Sequence, residues 1–331
     1  YEMTSSLVGS EMCIRDRLQM SEFLGIDTSN YTTSAALYND ISGEVFQKKM
    51  LLPVKKGEAG LRQSDAVFHH TRQLPLVCGE VLDKSNAIEA IGVSVKPRSR
   101  EDSYMPCFLS GSTAAELISH ALCVKVYKTS HQLGHIAAAL YSAGKTELMM
   151  ERFIAFHVSG GTTECLFCKP DDNNIIEAEI FSSSLDLKAG QAVDRTGIML
   201  GLDFPCGAEL EKLALKSDKK YSLRPVMKGT NCCLSGVENK CRKMLEDGFA
   251  PCDIAAYCLS FICSSIEGMT EAALSELGDI PVVYSGGVMS DSIIRKRLEE
   301  RFGAYFAAPE FSCDNASGIA LLASEMHKRG I

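Results

Sequence analysis

The 331-residue chain lacks the features of a membrane protein or of a protein that coats nucleic acid. It contains no uninterrupted run of about 18 apolar residues, the length that crosses a bilayer, so we expect no membrane span. Its net charge of −8 at pH 7 excludes a globally positive surface, and an RNA substrate would therefore require a local basic patch or a helper subunit. The 46% apolar and 23% charged content is typical of a globular protein long enough for two domains.

The fourteen cysteines lack the regular spacing of a small disulfide-linked secreted domain. A Cys-x-x-Cys pair at Cys165 and Cys168 has no second pair at metal spacing, so we expect no zinc site there. Several cysteines lie inside predicted apolar strands and helices, which predicts buried thiols in a reducing cytosol. The cysteines that carry this prediction are Cys123, Cys165, Cys258 and Cys263.

The first 19 residues differ from the rest of the chain. Residues 1–18 lack the apolar core and cleavage site of a signal peptide. Residues 6–17 resemble the translation of sequencing-adapter DNA, and Met20 resembles a natural start. We therefore expect residues 1–19 to be a non-native tail and leave them out of the fold prediction.

One segment occurs twice, 130 residues apart: residues 23–33 align with residues 153–163. Each copy is an apolar strand, a turn of small hydroxyl and glycine residues, and then a second apolar strand. Bare backbone N–H groups and hydroxyls at such a turn can hold an anion. The repeat indicates two like lobes that clasp one ligand, although two unrelated hairpins would give the same pattern.

The order of predicted elements also repeats. Three strands in sequence are followed by alternating helices and strands, and the same order restarts near residue 152. This is the layout of an α/β protein with a duplicated ribonuclease-H-like fold, in which helices cover mixed sheets. No low-complexity linker separates the halves, so we expect two lobes with an interlobe cleft. We assign residues 20–150 and 313–331 to the first lobe and residues 151–312 to the second.

Two histidines suggest a metal site. His131 and His135 lie at positions i and i+4 of a helix predicted from Ser130 to residue 142, so both imidazoles are within reach of one ion. A solvated or partly packed pair is the alternative. Asp314 is a candidate third ligand, but it precedes the last predicted helix, where a carboxylate also serves as an N-cap.

Further segments favour a ligand site in the second half. Residues 285–288 form a Ser-Gly-Gly-Val corner that lets a ligand approach the backbone, although a tight turn alone would also use glycine. Asp194 either binds a ribose hydroxyl or a metal, or is an exposed helix carboxylate. In the first half, three cations form a small loop that either faces solvent or contacts phosphates: Lys96, Arg98 and Arg100.

Taken in order, these segments resemble the TsaD/Gcp family of threonylcarbamoyl transferases that modify tRNA, which belongs to the actin/hexokinase/sugar-kinase superfamily. The likeness extends over residues 22–328. It depends on a set of motifs: Asp27-Thr-Ser, Ser130-His-Gln-Leu-Gly-His135, Val158-Ser-Gly-Gly-Thr-Thr163, Gly190-Gln-Ala-Val-Asp194, Gly201-Leu-Asp-Phe-Pro, Leu234-Ser-Gly236, Ser285-Gly-Gly-Val and Pro309-Glu-Phe-Ser-Cys-Asp314-Asn.

The resemblance implies a metal-dependent transferase that moves threonylcarbamoyl from threonylcarbamoyl-AMP to the exocyclic amine of the tRNA adenosine beside the anticodon. It implies a cytoplasmic protein with helper subunits, in which His131, His135 and Asp314 hold one ion, iron or zinc. The implied contacts to the nucleotide, ATP or threonylcarbamoyl-AMP, are Ser159, Gly160, Gly161, Thr162, Thr163, Asp194, Gly207, Glu211, Gly286, Gly287 and Asp291.

Three departures from the family pattern affect nucleotide handling. The usual Gly-Pro-Gly is here Lys96-Pro97-Arg98, and the histidine of Ser-Gly-Gly-His-Thr is here Thr162. Asp291 stands where the family has asparagine, which exchanges an amide donor for an acceptor-only, negative group. These changes spare the metal residues and suggest a divergent paralogue.

The leading hypothesis is therefore the tRNA threonylcarbamoyl transferase. A nucleotide- and metal-binding partner or regulatory subunit without transfer activity is the second hypothesis, and a metal-dependent carbamoyltransferase or hydrolase with another substrate is the third. An endopeptidase is disfavoured, because the sequence shows no nucleophile paired with a base and no water-activating glutamate beside the histidines.

Overall fold

The computed structural model describes residues 21–29, 31–53, 61–100, 102–313 and 316–331. The predicted tail at residues 1–19 and the proposed ligand Asp314 lie outside these ranges. The described chain forms two compact units. The first contains the described residues as far as Ala138, the turn Asp171–Ile175 and the residues from Ala316 onward, and the second contains Ala139–Pro170 and Ile176–Cys313.

Strands and helices alternate along the chain much as the sequence pattern predicts. In chain order the elements are β1 (Glu22–Ser29), β2 (Thr32–Asn39), β3 (Val45–Leu51), α1 (Gln63–Leu82), β4 (Ile88–Lys96), α2 (Phe108–Leu122), β5 (Lys125–Ser130), α3 (His131–Ser142), β6 (Phe153–Val158), β7 (Thr163–Asp171), β8 (Ile175–Ser183), α4 (Ala189–Met199), α5 (Gly207–Ala214), β9 (Met227–Lys228), β10 (Asn231–Cys232), α6 (Gly236–Glu246), α7 (Pro251–Leu277), β11 (Val282–Ser285), α8 (Ser292–Phe302), β12 (Tyr305–Phe306) and α9 (Ser317–Arg329).

Each unit contains a five-stranded sheet, and the two sheets have the same topology. The strand order is β3-β2-β1-β4-β5 in the first unit and, read in the same direction, β8-β7-β6-β11-β12 in the second. In both units the first strand pairs antiparallel with the second and parallel with the fourth. The predicted mixed sheets are therefore confirmed.

The two hairpins also share one register. Asp27 pairs with Ser34 in the first unit, and His157 pairs with Glu164 in the second, so both pairs keep the 130-residue offset. The aligned segments are therefore equivalent positions of a repeated fold and not unrelated hairpins.

The core of the first unit lies between its sheet and the flanking helices. Strand β1 is buried over its full length, and β2 is buried except at its last residue. Apolar side chains of α1 and α2, such as Val77 and Ala115, pack against Leu24, Ile26 and Ile91 of the sheet. Helix α9 is buried over most of its length, so its apolar residues stabilise the fold without facing water.

The core of the second unit surrounds α7. In the described part of the chain, this is the one helix long and apolar enough to cross a membrane, and 78% of its most apolar window is buried inside the protein. Such burial is typical of a core helix. Aromatic residues of the sheet, Phe156, Tyr284 and Phe306, pack together in the same core.

Three elements were not predicted from the sequence. Strands β9 and β10 have two residues each, too few to show an alternation. Helix α6 buries only Val237, Cys241 and Met244 among charged neighbours, so its apolar stripe is narrow.

The prediction for the cysteines is wrong at one position. Cys123 is not inside a strand: it ends α2 in the left-handed conformation, with φ of 57°, and its side chain is exposed. Cys165, Cys258 and Cys263 are buried, and every described cysteine is a free thiol. Burial raises the pKa of Cys165 to about 12, so this thiol stays protonated at neutral pH.

Candidate functional site

The histidine pair lies at the start of α3, which follows directly from β5. Ser130 is the N-cap of this helix, because its Oγ accepts a hydrogen bond from the backbone N–H of Leu133, 3.3 Å away. The helix packs closely against α9. A Cβ atom on Gly318 would overlap the carbonyl oxygen of Gly134 and lie 2.6 Å from the backbone nitrogen of Ala138, so only glycine allows this approach.

The structure brings the two predicted imidazoles together. The Nε2 atoms of His131 and His135 are 2.9 Å apart, and the ring centroids are 4.3 Å apart. Two nitrogens bound to the same ion at about 2.1 Å would be roughly 3.0–3.4 Å apart, so the pair fits a shared metal with a small adjustment. The third proposed ligand, Asp314, is not described, and the described residues contain no group of three or more metal-ligating side chains.

A buried carboxylate lies behind the pair. Asp27, near the end of β1, is 0% exposed, and its Oδ2 is 3.0 Å from Nδ1 of His131. The hydroxyls of Ser29 and Ser94 also donate to this carboxylate, Ser29 at 2.7 Å. We call these four residues the Asp27 cluster. Burial would raise the pKa of Asp27, but its interactions with His131 and the two serines outweigh burial and hold the pKa below its usual value.

Asp27 is not among the predicted site residues. Two of its three partners, Ser94 and His131, are 67 and 104 residues away in the chain, so spacing does not reveal them. A signal was nevertheless present: Asp27 is the only charged residue between Phe23 and Ser29, and it aligns with His157 in the repeat. An ionisable residue at one position of both apolar strands is a pattern that favours a site.

The second unit contains an open cavity of about 500 Å³. Apolar side chains of Val193 and Leu259 form part of its wall. Seven of the eleven predicted nucleotide contacts line it: Ser159, Gly160, Asp194, Gly207, Glu211, Gly287 and Asp291.

The other four predicted contacts, Gly161, Thr162, Thr163 and Gly286, are not among the lining residues. Thr163 is buried, and its Oγ1 accepts a hydrogen bond from the backbone N–H of Ala189, 2.9 Å away. The N–H of Thr162 donates to Oγ of Ser159 at 3.2 Å. Both threonines therefore support the turn beside the cavity.

Three carboxylates line the cavity, and each accepts a hydrogen bond from the backbone. Asp194 accepts from the N–H of Cys206, and Glu211 accepts from the N–H of Ser292, each at 2.9 Å. Asp291 is the N-cap of α8 and accepts from two N–H groups of its first turn. Burial of the Asp291 carboxylate is the main cause that raises its pKa to about 6.

The predicted basic loop has a mixed environment. Lys96 is the last residue of β4, and the backbone N–H of Arg98 donates to Oγ of Ser103 at 3.0 Å. Arg100 forms an exposed ion pair with Asp102 at 3.3 Å. Of the two alternatives for the basic loop, solvent exposure or phosphate contact, Arg100 therefore shows solvent exposure.

Known proteins resemble this chain in both sequence and fold. A family model described as tRNA N6-adenosine threonylcarbamoyltransferase, TsaD, matches residues 53–321. The chain is 30% identical to the tRNA N6-adenosine threonylcarbamoyltransferase of Thermosipho africanus over 327 residues, which span 93% of this chain and 95% of the relative. The resemblance inferred from the motifs is confirmed.

Solved structures of low sequence identity share the fold. Full-length HypF in a phosphate- and nucleotide-bound form superposes with a TM-score of 0.57 at 15% identity, over 92% of this chain and 55% of that one. A glucokinase of the ROK family from Streptomyces griseus superposes with a TM-score of 0.51 at 11% identity, over 92% and 99% of the two chains. These likenesses confirm the predicted fold class, a duplicated α/β fold of the hexokinase type.

Proposed function

Because the chain belongs to the tRNA N6-adenosine threonylcarbamoyltransferase family, we propose that it transfers threonylcarbamoyl from threonylcarbamoyl-AMP to the exocyclic amine of the tRNA adenosine next to the anticodon. One observation carries the proposal: the Nε2 atoms of His131 and His135 lie 2.9 Å apart, close to the spacing of two ligands on one ion. The departures from the family pattern leave this pair intact.

The donor nucleotide binds in the cavity of the second unit. Its volume of about 500 Å³ is in the range of cofactor pockets. In the glycine-rich turn the N–H of Ser159 already donates to the carbonyl of Thr162 at 2.7 Å, so the backbone N–H of Gly160 is the one offered to the phosphate. Carboxylates accept hydrogen bonds only, so Asp194 and Glu211 suit the ribose hydroxyls.

His131, His135 and Asp314 hold one divalent ion, iron or zinc. Such an ion, when bound, polarises a carbonyl group and stabilises developing negative charge. Two neutral imidazoles and one carboxylate suit either metal and leave a net positive charge, which favours an anionic donor.

The substrate is tRNA, and protein helper subunits accompany the enzyme. A net charge of −8 gives the chain little attraction for RNA, so a partner that supplies a basic surface fits the proposal. The free thiols of the described cysteines suit the reducing cytoplasm, where this modification would take place.

A nucleotide-binding partner without transfer activity is the second candidate. The specific observation in its favour is the charge of the cavity. Among the described residues that line it there are three carboxylates and no lysine, arginine or histidine. Three negative charges repel a polyphosphate, so this lining disfavours its binding. It therefore favours a protein that binds a nucleotide without catalysing transfer.

A transfer assay separates the two candidates. Metal-loaded protein is mixed with threonylcarbamoyl-AMP and unmodified tRNA, with and without helper subunits, and the modified nucleoside is measured. Product in either mixture supports the transferase. Nucleotide binding without product in both mixtures supports the partner.

The metal site is tested separately by metal content. We expect His131→Ala and His135→Ala each to reduce bound metal well below one equivalent. His120→Ala is the matched control, since His120 is an exposed histidine in the last turn of α2. Full metal retention by both site variants would remove the proposed site.

A further inference from the structure

We propose that Asp27 is the positioning residue of the histidine pair: its carboxylate holds His131 in the tautomer and orientation that direct Nε2 toward the metal. This inference rests on the proposed metal site. It assigns a role to a residue of β1 that lies far from the histidines in sequence.

The first step is the tautomer of His131. Its Nδ1 is 3.0 Å from Oδ2 of Asp27. An ionised carboxylate only accepts hydrogen bonds, so Nδ1 of His131 carries the hydrogen. In the neutral imidazole the lone pair is then on Nε2, the atom that lies 2.9 Å from Nε2 of His135. The carboxylate therefore selects the ring nitrogen that faces the other histidine.

The second step is the rigidity of the carboxylate itself. Ser29 donates to Oδ2 at 2.7 Å, and Ser94 of the neighbouring strand β4 donates to Oδ1. Asp27 is fully buried, so water does not compete for these bonds. Residues of two adjacent strands, β1 and β4, therefore fix the carboxylate that contacts His131. A site built on strands is held more precisely than one built on loops.

The third step is the contrast with the repeat. Position 157, equivalent to Asp27, carries a histidine that interacts with Ser285 at 3.3 Å. The same fold therefore accepts an imidazole at this position, and a buried carboxylate is not required to build the hairpin. Histidine ligands of metals almost always donate their second N–H to a carboxylate, carbonyl or water, and this is the arrangement at Asp27.

The test measures the affinity for Co²⁺ by competition with a chelator. Asp27→Asn keeps the size of the side chain but removes the negative charge, and we expect affinity to fall about 10–100-fold. The visible absorption band of the saturated Co²⁺ complex should also shift, since the imidazole is no longer polarised by a carboxylate. A purely structural role would weaken binding without moving that band.

Asp253→Asn is the matched control. Asp253 is also a buried carboxylate, which accepts from the Ser217 hydroxyl at 2.6 Å and pairs with Lys219, but it lies in the second unit. The Asp253→Asn variant should bind Co²⁺ with the affinity of the wild type. If Asp27→Asn does not fold, Ser94→Ala removes one donor to the carboxylate, and we expect a smaller loss of affinity in the same assay.

The outcomes distinguish this inference from the proposed site. Wild-type affinity and an unshifted band in Asp27→Asn, together with metal loss in His131→Ala and His135→Ala, would overturn the role of Asp27 alone. Undiminished Co²⁺ binding in both histidine variants would overturn the metal site and this inference with it. A weaker, shifted Co²⁺ complex in Asp27→Asn, with a normal complex in Asp253→Asn, supports the inference.

Discussion

The two hairpins of the repeat have the same register but different chemistry. Strand β1 carries Asp27 beside Ser94, and strand β6 carries His157 beside Ser285. Asp27 is fully buried within its cluster, whereas His157 is only half-buried. One position of a duplicated strand therefore presents an anion in one unit and an imidazole in the other. The two units therefore share a backbone register but differ in the side chain at this position.

The surroundings of the two strand ends differ as well. In the first unit α2 packs against the end of β1: the Thr28 hydroxyl donates to the carbonyl of Cys107 at 3.0 Å and accepts from the N–H of Gly111 at 3.2 Å. In the second unit a Cβ on Gly190 of α4 would lie 2.5 Å from the backbone nitrogen of Gly160, yet a cavity of about 500 Å³ remains beside the turn. The helices therefore pack differently around the ends of the two equivalent strands.

The close packing of the first unit predicts a large loss of stability at Gly318. Gly318→Ala places a methyl group against the backbone of α3, so we expect a loss of about 2–3 kcal/mol in the free energy of unfolding of the metal-free protein. Chemical denaturation measures this loss. Gly79→Ala, in α1, is the control: nothing lies within 4 Å of its added Cβ, so we expect no loss and a gain of up to about 1 kcal/mol. Equal effects of the two substitutions would contradict the close approach of α3 and α9.

In the second unit, Asp291→Asn should change the pH dependence of stability. The pKa of Asp291 is raised to about 6 from 3.8, so the folded protein binds this proton more tightly than the unfolded chain does. The stability it contributes is fully present below the unfolded value and is lost as the pH rises through about 6. Asparagine caps α8 without titrating. We therefore expect the variant to be more stable than wild type at pH 7 by up to about 3 kcal/mol, with the difference closing near pH 4.

Unfolding curves of both proteins at the two pH values measure that difference. A difference that does not vary between pH 4 and pH 7 would contradict the raised pKa. The same variant removes a negative charge from the cavity, so we expect tighter AMP binding by calorimetry. Unchanged AMP affinity would show that Asp291 caps α8 but does not contact the nucleotide.

Thr162→His should have the smallest effect. It restores the histidine of the family pattern, but Thr162 is not among the residues that line the cavity. We expect a change in AMP affinity smaller than that of Asp291→Asn, measured by the same calorimetric titration. A larger change would mean that the turn moves toward the nucleotide when it binds.

Much of the fold could be predicted because it depends on local patterns. The apolar runs of β1 and β6, the 130-residue offset and the i, i+4 spacing of His131 and His135 are all visible in the sequence. Strand β9 could not be predicted because two residues are too few to show a period. Helix α6 was missed although Val237, Cys241 and Met244 recur at i, i+4 and i+7, because the residues around them are mostly charged. Cys123 was misplaced because an apolar neighbourhood does not reveal a left-handed helix end.

The residues of the site likewise fall into those that the sequence predicted and those that only the structure shows. Helical geometry places two imidazoles on one face, so sequence alone determined that His131 and His135 would meet. The sequence contains Asp27 and Ser94 but no sign that they lie behind His131, since these contacts join strands and a helix that are distant in the chain. Only the tertiary structure decided that arrangement, because pairing β1 with β4 and packing α3 beside them removes water from the carboxylate and places Ser29, Ser94 and His131 around it.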